Sequence, residues 1–103
     1  MSKELHTPLD HVEETAFELS DTVKAMRSDD FKERFRAEYW QTAIRYHKLR
    51  YMLKDWRKGK LQLTPKVPYG ILEEQLRAMG KYLKLLEIRA EIEEVDLERD
   101  IDE

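Results

Sequence analysis

The sequence predicts an all-α fold centred on a long antiparallel helical hairpin, and three observations point to it. Apolar side chains recur at alternating three- and four-residue spacing along three segments, which is the period of one helix face. No segment alternates apolar and polar residues as a half-buried strand would. Gly59, Pro65, Pro68 and Gly70 crowd into one short stretch, so the chain offers one pronounced turn between its two longest stripes.

The first element is expected over about residues 8–26. Thr7 can cap it, and Pro8 suits the first helical position, where a missing N–H costs nothing. Leu9, Val12, Ala16, Leu19, Val23 and Met26 then form one stripe.

Ser28-Asp29-Asp30 is the next capping cluster, with carboxylates that complement the positive end of a helix dipole. Phe35, Tyr39, Thr42, Tyr46, Leu49, Leu53 and Trp56 follow as a near-heptad seam, predicting a helix over about 29–58. Gly59 is its natural stop.

Thr64-Pro65 and Val67-Pro68 resist helix, because a residue before proline is pushed out of the α region. Residues 60–68 are therefore read as the loop. Leu72, Leu76, Met79, Leu83, Leu86 and Ala90 make the third stripe, on a helix over about 69–96. Gly80 in its middle costs roughly 1 kcal/mol against alanine, which a close helix crossing would explain. The acidic end, residues 97–103, is expected to fray. The chain is thus read as one helical domain, 1–103, divided into an N-terminal helix (1–28), a hairpin (29–96) and an acidic tail. Two long helices joined by so short a loop fold back antiparallel, with the first helix packed across them.

Composition narrows the function. Of 103 residues, 41% are hydrophobic and 40% charged, a balance that suits exposed helices better than disorder. Without cysteine, disulfides, thiolate metal sites and thiol catalysis are excluded. No apolar h-region follows the first residues and no apolar run reaches the roughly 20 residues of a membrane span, so the expectation is a cytoplasmic protein.

Charge is unevenly placed: net −5 over residues 1–31, +7 over 32–60, +2 over 61–86 and −7 over 87–103. One basic segment between acidic ones implies either charge pairing or an anion-binding surface.

Both hairpin helices also carry a second apolar stripe. Trp40, Ile44, His47 and Tyr51 lie roughly opposite the main seam of the second helix, and Leu85, Ile88, Ile92 and Val95 roughly opposite that of the third. Exposed apolar stripes mark interfaces, so Ile44, Leu85, Ile88, Ile92 and Val95 are expected at a homo-oligomer interface. A core enlarged by an unusual placement of the first helix, and a base-stacking role for Trp40 and Tyr51, remain alternatives.

Catalytic signatures are lacking. His6, His11 and His47 form no metal motif, the glycines stand singly, and there is no nucleophile elbow. Glu73-Glu74 and the cluster Glu91, Glu93 and Glu94 are ordinary for a solvated helix face. The expectation is a protein that is not an enzyme, with no metal and no cofactor. One chemical candidate remains, a basic–aromatic strip. Arg36, Trp40, His47, Arg50, Tyr51, Lys54 and Lys58 fall on one broad side of the second helix, with Tyr69 near the loop. Arg45, Lys48, Arg57, Lys60 and Lys66 extend the positive charge. Guanidinium and ammonium groups neutralise phosphates, and aromatic rings stack on bases, so Arg36, Trp40, His47, Arg50, Tyr51, Lys54, Lys58 and Tyr69 are the expected ligand-binding set.

From Phe31 to about Leu97 the sequence resembles small proteins of tailed phages and prophages, including the crAss-like phage type. The resemblance lies in Phe35-Arg36-Ala37-Glu38-Tyr39, in Tyr46, Leu49 and Leu53, and in Leu72, Gln75, Leu76, Ala78, Met79, Tyr82, Leu83, Leu86 and Arg89. It implies a short helical hairpin similar in architecture to phage sponges, oligomers that sequester the cyclic nucleotide or cyclic ADP-ribose signals of bacterial CBASS and Thoeris defence. It further implies action in the cytoplasm of an infected bacterium. The resulting expectation is an anti-defence protein that holds a small cyclic nucleotide at an oligomer interface without turnover. The alternative is a helical protein–protein interaction module, such as a phage inhibitor of a host protein or an assembly adaptor. Nucleic acid is disfavoured as a partner by the acidic flanks and a pI near 5.7.

Overall fold

The computed structural model describes residues 18–98. It is all-helical there. A 3-10 turn, Leu19–Thr22, runs into a single α-helical turn, α1 (Val23–Met26), and then come the two long helices, α2 (Phe31–Arg57) and α3 (Tyr69–Ile92). The expected N-terminal helix lies largely outside the described residues. Its described end is this short 3-10/α segment.

The start of α2 follows from the capping cluster. Asp30 is extended, and its carboxylate accepts the Lys32 N–H at 3.0 Å. Ser28 braces it, with Oγ accepting the Asp30 N–H at 2.9 Å and its carbonyl accepting from Arg34 at 2.9 Å. These contacts satisfy donors that no helical carbonyl can reach.

α2 packs along α3 through Phe35, Tyr39, Ala43, Leu83, Leu86 and Ala90, all buried. Tyr39 is fully buried and its hydroxyl donates to Glu87 at 2.6 Å. Tyr82 donates to Glu38 on the outer edge of the same crossing. Arg89 lies over the Phe35 ring, 4.7 Å from its centroid, adding a cation–π contact.

Gly80 sits where Tyr46 crosses. A Cβ built on Gly80 would lie 3.2 Å from Tyr46 Cε1. The expected close approach is therefore present: the missing side chain lets the Tyr46 ring rest on the α3 backbone.

Both long helices end in the same capping motif. At α2, Gly59 has φ +73°, its N–H donates to Trp56, and the Lys60 N–H donates to Asp55 at 2.8 Å. At α3, Glu94 has φ +60°, its N–H donates to Glu91, and the Val95 N–H donates to Ala90 at 2.8 Å. This double bond with a left-handed residue is the Schellman arrangement. α3 thus stops at Ile92, short of the expected residue 96, because the chain turns at Glu94.

After that turn residues 95–98 fold back onto the hairpin, and the rest of the expected acidic tail lies outside the described residues. Val95 and Leu97 are buried in the α2–α3 core, and the Asp96 and Leu97 carbonyls accept from Arg36 at 3.4 Å and from the Trp40 indole at 2.9 Å. Residues 93–98 form a strap laid across the first half of α2. On its other side, Ala25 packs with Ala37 and Trp40, and Gln41 donates to Thr22 at 2.8 Å.

The two caps differ in chemistry at one position, and this difference is testable. A left-handed conformation costs a non-glycine residue about 1–2 kcal/mol. Glu94→Gly is expected to raise the urea midpoint by the equivalent of about 1 kcal/mol, and Gly59→Ala to lower it by a similar amount. Removal of the strap's anchor is read in the same way. Trp40→Phe keeps the ring packing but loses the indole donor, costing about 1 kcal/mol and speeding amide exchange over residues 95–98.

Candidate functional site

Between the second half of α2 and the first turns of α3, beside Tyr46, lies an open cleft of about 270 Å³. Its cationic wall is Arg50, Lys54 and Arg57 from α2, and Tyr69 and Glu73 from α3 close the other side. Leu53 and Leu76 form part of its apolar lining. The spacing explains the wall: residues 50, 54 and 57 recur at four and three along α2 and so share one side.

Aromatic contacts orient the rings. Tyr69 meets Trp56 edge-on at 5.2 Å between centroids, which ties the start of α3 to the end of α2. Tyr51 meets His47 edge-on at 4.3 Å, and the Lys54 ammonium lies 5.8 Å from the Tyr51 centroid.

A second groove of about 770 Å³ lies alongside, lined by Gly80, Lys81, Lys84 and Leu85, with Arg77 at its edge. Tyr46, Glu73 and Leu76 belong to both, so Tyr46 is the ridge between two adjoining hollows. Both carry more cations than carboxylates: Glu73 is the sole acidic residue in either lining. Arg77 lies 3.9 Å from Glu73 and 3.6 Å from Glu74, which offsets part of that negative charge. Neither of these two hollows is enclosed. The cleft alone falls just under the roughly 300–1,000 Å³ of ordinary ligand sites, and the larger groove falls within it.

Only part of the expected ligand set converges here. Arg50, Lys54 and Tyr69 line the cleft. Tyr51, 41% exposed, stands beside Lys54. Lys58 is exposed beyond the last turn of α2 and does not line it. The other three lie elsewhere. Arg36 is 4% exposed, with one nitrogen bonded to the Asp96 carbonyl and Nε lacking a hydrogen-bond partner among the described residues. Trp40 is half-buried under the strap, and His47 is buried beneath the Tyr51 ring. Arg36 and Trp40 point into the protein because the strap and the segment before α2 cover the face that the sequence leaves open.

The expected interface set divides likewise. Leu85, Ile88 and Ile92 are 50%, 51% and 75% exposed, whereas Ile44 and Val95 are 2% and 6% exposed and belong to the interior. Val95 turns inward because Glu94 redirects the chain.

Tyr46 and Glu73 are cleft residues that the sequence reading assigns to other roles, and Arg57, read only as extending the positive charge, joins them in the lining. Tyr46 reads as plain seam, and its place on the ridge is signalled only by Gly80, far away in sequence. Among the described residues no group of three or more His, Asp or Glu is placed to hold a metal ion. No described helix is long and apolar enough to cross a membrane.

Residues 29–92, which span α2, the loop, α3 and every residue of the cleft, match the family model Sequestin. Neither a curated protein nor a solved structure matches the chain.

Proposed function

The chain belongs to the Sequestin family, and from that premise we propose that it binds and sequesters a small anionic nucleotide without turning it over. The ligand class is a cyclic nucleotide immune signal of the CBASS or Thoeris type, and the setting is phage counter-defence in the cytoplasm of an infected bacterium. The family name speaks of sequestration. The observation that carries the reading further is the cleft, where three cations and two tyrosines meet around a single carboxylate.

The chemistry suits such a ligand. Arg50 and Arg57 can each grip a phosphate through two parallel N–H bonds, and Lys54 adds a point charge. Tyr46 and Tyr69 offer ring surface for a base. No nucleophile with an adjacent general base stands among the cleft residues, so a bound phosphodiester meets binding groups alone. Because the cleft is open, a second subunit over it would complete the enclosure, which is how an oligomer interface would serve retention.

Native mass spectrometry with a panel of cyclic oligonucleotides and cyclic ADP-ribose isomers tests this. The expected result is one ligand retained in fixed stoichiometry and recovered intact after denaturation. A cleaved product, or no retained ligand, overturns it. Arg50→Ala and Lys54→Ala are each expected to weaken the retained ligand roughly tenfold by titration calorimetry, the value of one charge-assisted contact. Arg45→Ala and Lys48→Ala, which alter exposed cations outside the cleft, should leave it unchanged.

A further inference from the structure

Part of α2 is buried on the side that α3 does not reach. Ile44 lies roughly opposite the α3 seam and is 2% exposed, yet among the described residues it belongs to neither buried cluster. His47, the next residue of that stripe, is 7% exposed, and the Tyr51 ring meets it edge-on. The three residues recur at three and four and share one side of the helix.

The segment before α2 is aimed at this side. The Ser28 carbonyl accepts from Arg34, Ala25 packs with Ala37, and the Thr22 hydroxyl accepts from Gln41. Going back from Ser28, the chain therefore runs antiparallel to α2, toward its second half. At Thr22 it stands one turn short of Ile44. Glu18 is extended, so a helix upstream of it is a separate element delivered to the Ile44 side.

Residues 5–17 suit that side in pattern and in charge. Leu5, Leu9, Val12 and Ala16 recur at four, three and four, the spacing of one helix face. Asp10, Glu13 and Glu14 accompany them, and no lysine or arginine stands among these residues. Residues 45–58 of α2 and its cap are the reverse, with six cations against Asp55 alone. None of the six makes a salt bridge among the described residues. Arg45 and Lys48 are exposed and lie outside the cleft, so the proposed anion site leaves them without a use.

We propose that residues 5–17 form an amphipathic helix that docks antiparallel on the second half of α2. Leu9, Val12 and Ala16 lie against Ile44, His47 and Tyr51, and the carboxylates face the cations beside them. The chain thus fills its own second stripe, which removes Ile44 from use as a contact between copies. These residues precede those matched by the family model, and the docking does not depend on the proposed nucleotide.

The chain has no cysteine, so a single introduced thiol takes a single nitroxide label. With the label on Thr15→Cys, beside the stripe, paramagnetic broadening in NMR spectra of the full chain should be strongest at the amides of residues 44–55. It should be weak at residues 88–92, which lie near Phe35, about 20 Å back along α2. Val12→Glu sets a charge in the contact and should abolish that difference, while the Phe35, Leu83 and Leu86 amides keep their wild-type shifts and so report an intact hairpin. Broadening that is no stronger at 44–55 than at 88–92, or that survives Val12→Glu, overturns the proposal. So does broadening of 44–55 that persists undiminished when label and isotope are placed on different chains, since the segment then reaches a second copy. A label on Ile101→Cys that broadens 44–55 where the Thr15→Cys label does not also overturns it, and assigns the cover to the acidic tail.

Discussion

Tyr39 must be wholly buried and still give its hydroxyl an acceptor, and the arrangement of the hairpin follows from meeting both demands. Its ring packs into the seam with Leu83 and Leu86, while its O–H reaches Glu87. A slide of α3 by one turn would keep an apolar seam but would strip a buried hydroxyl of its partner, a loss of about 1–3 kcal/mol. That hydrogen bond therefore selects one register among several that hydrophobic packing alone would accept. Two turns further along α2, the same register sets Tyr46 on Gly80. The cleft and the groove exist on either side of that ridge because the two helices meet in this alignment.

A hairpin of two helices has little interior, and this chain enlarges it by covering α2 from more than one direction. α3 covers the Phe35–Tyr39–Ala43 side. The strap brings Val95 and Leu97 into the same core and supplies carbonyls to Arg36 and Trp40. Ala25 and Thr22 approach from another side. Trp40 joins these packings, touching both buried clusters with its ring and the strap with its indole N–H. Among the described residues, packing is consequently denser at the first half of α2 than at the second, and the second half carries the cationic cleft.

A protein of this kind separates stability from recognition along one helix. The inner arginine, Arg36, is committed to holding the chain's own backbone. The outer ones, Arg50 and Arg57, face solvent across a shallow apolar floor, where a guanidinium keeps its full capacity for a planar anion. Similar residue types thus serve opposite ends because the strap reaches only the first half of α2.

The sequence by itself determined the helices. Asp30 and Gly59 mark the ends of α2, the prolines mark the loop, and the three–four spacing of Leu72 through Ala90 marks α3. Each is a local signal, carried by residues within a turn or two of one another. Gly80 announced a close crossing, and Leu85, Ile88 and Ile92 announced an uncovered face. Only the tertiary structure decided which polar and aromatic residues face solvent. Helical periodicity places Arg36, Trp40, His47, Arg50 and Lys54 on one side, but it cannot say how far along that side a covering segment extends. The strap that buries the first of these turns on Glu94, a residue with no intrinsic preference for a left-handed turn, which adopts it because Val95 and Leu97 gain a core by doing so. That gain is made with residues some sixty positions away, and contacts of that separation leave no local mark in the chain.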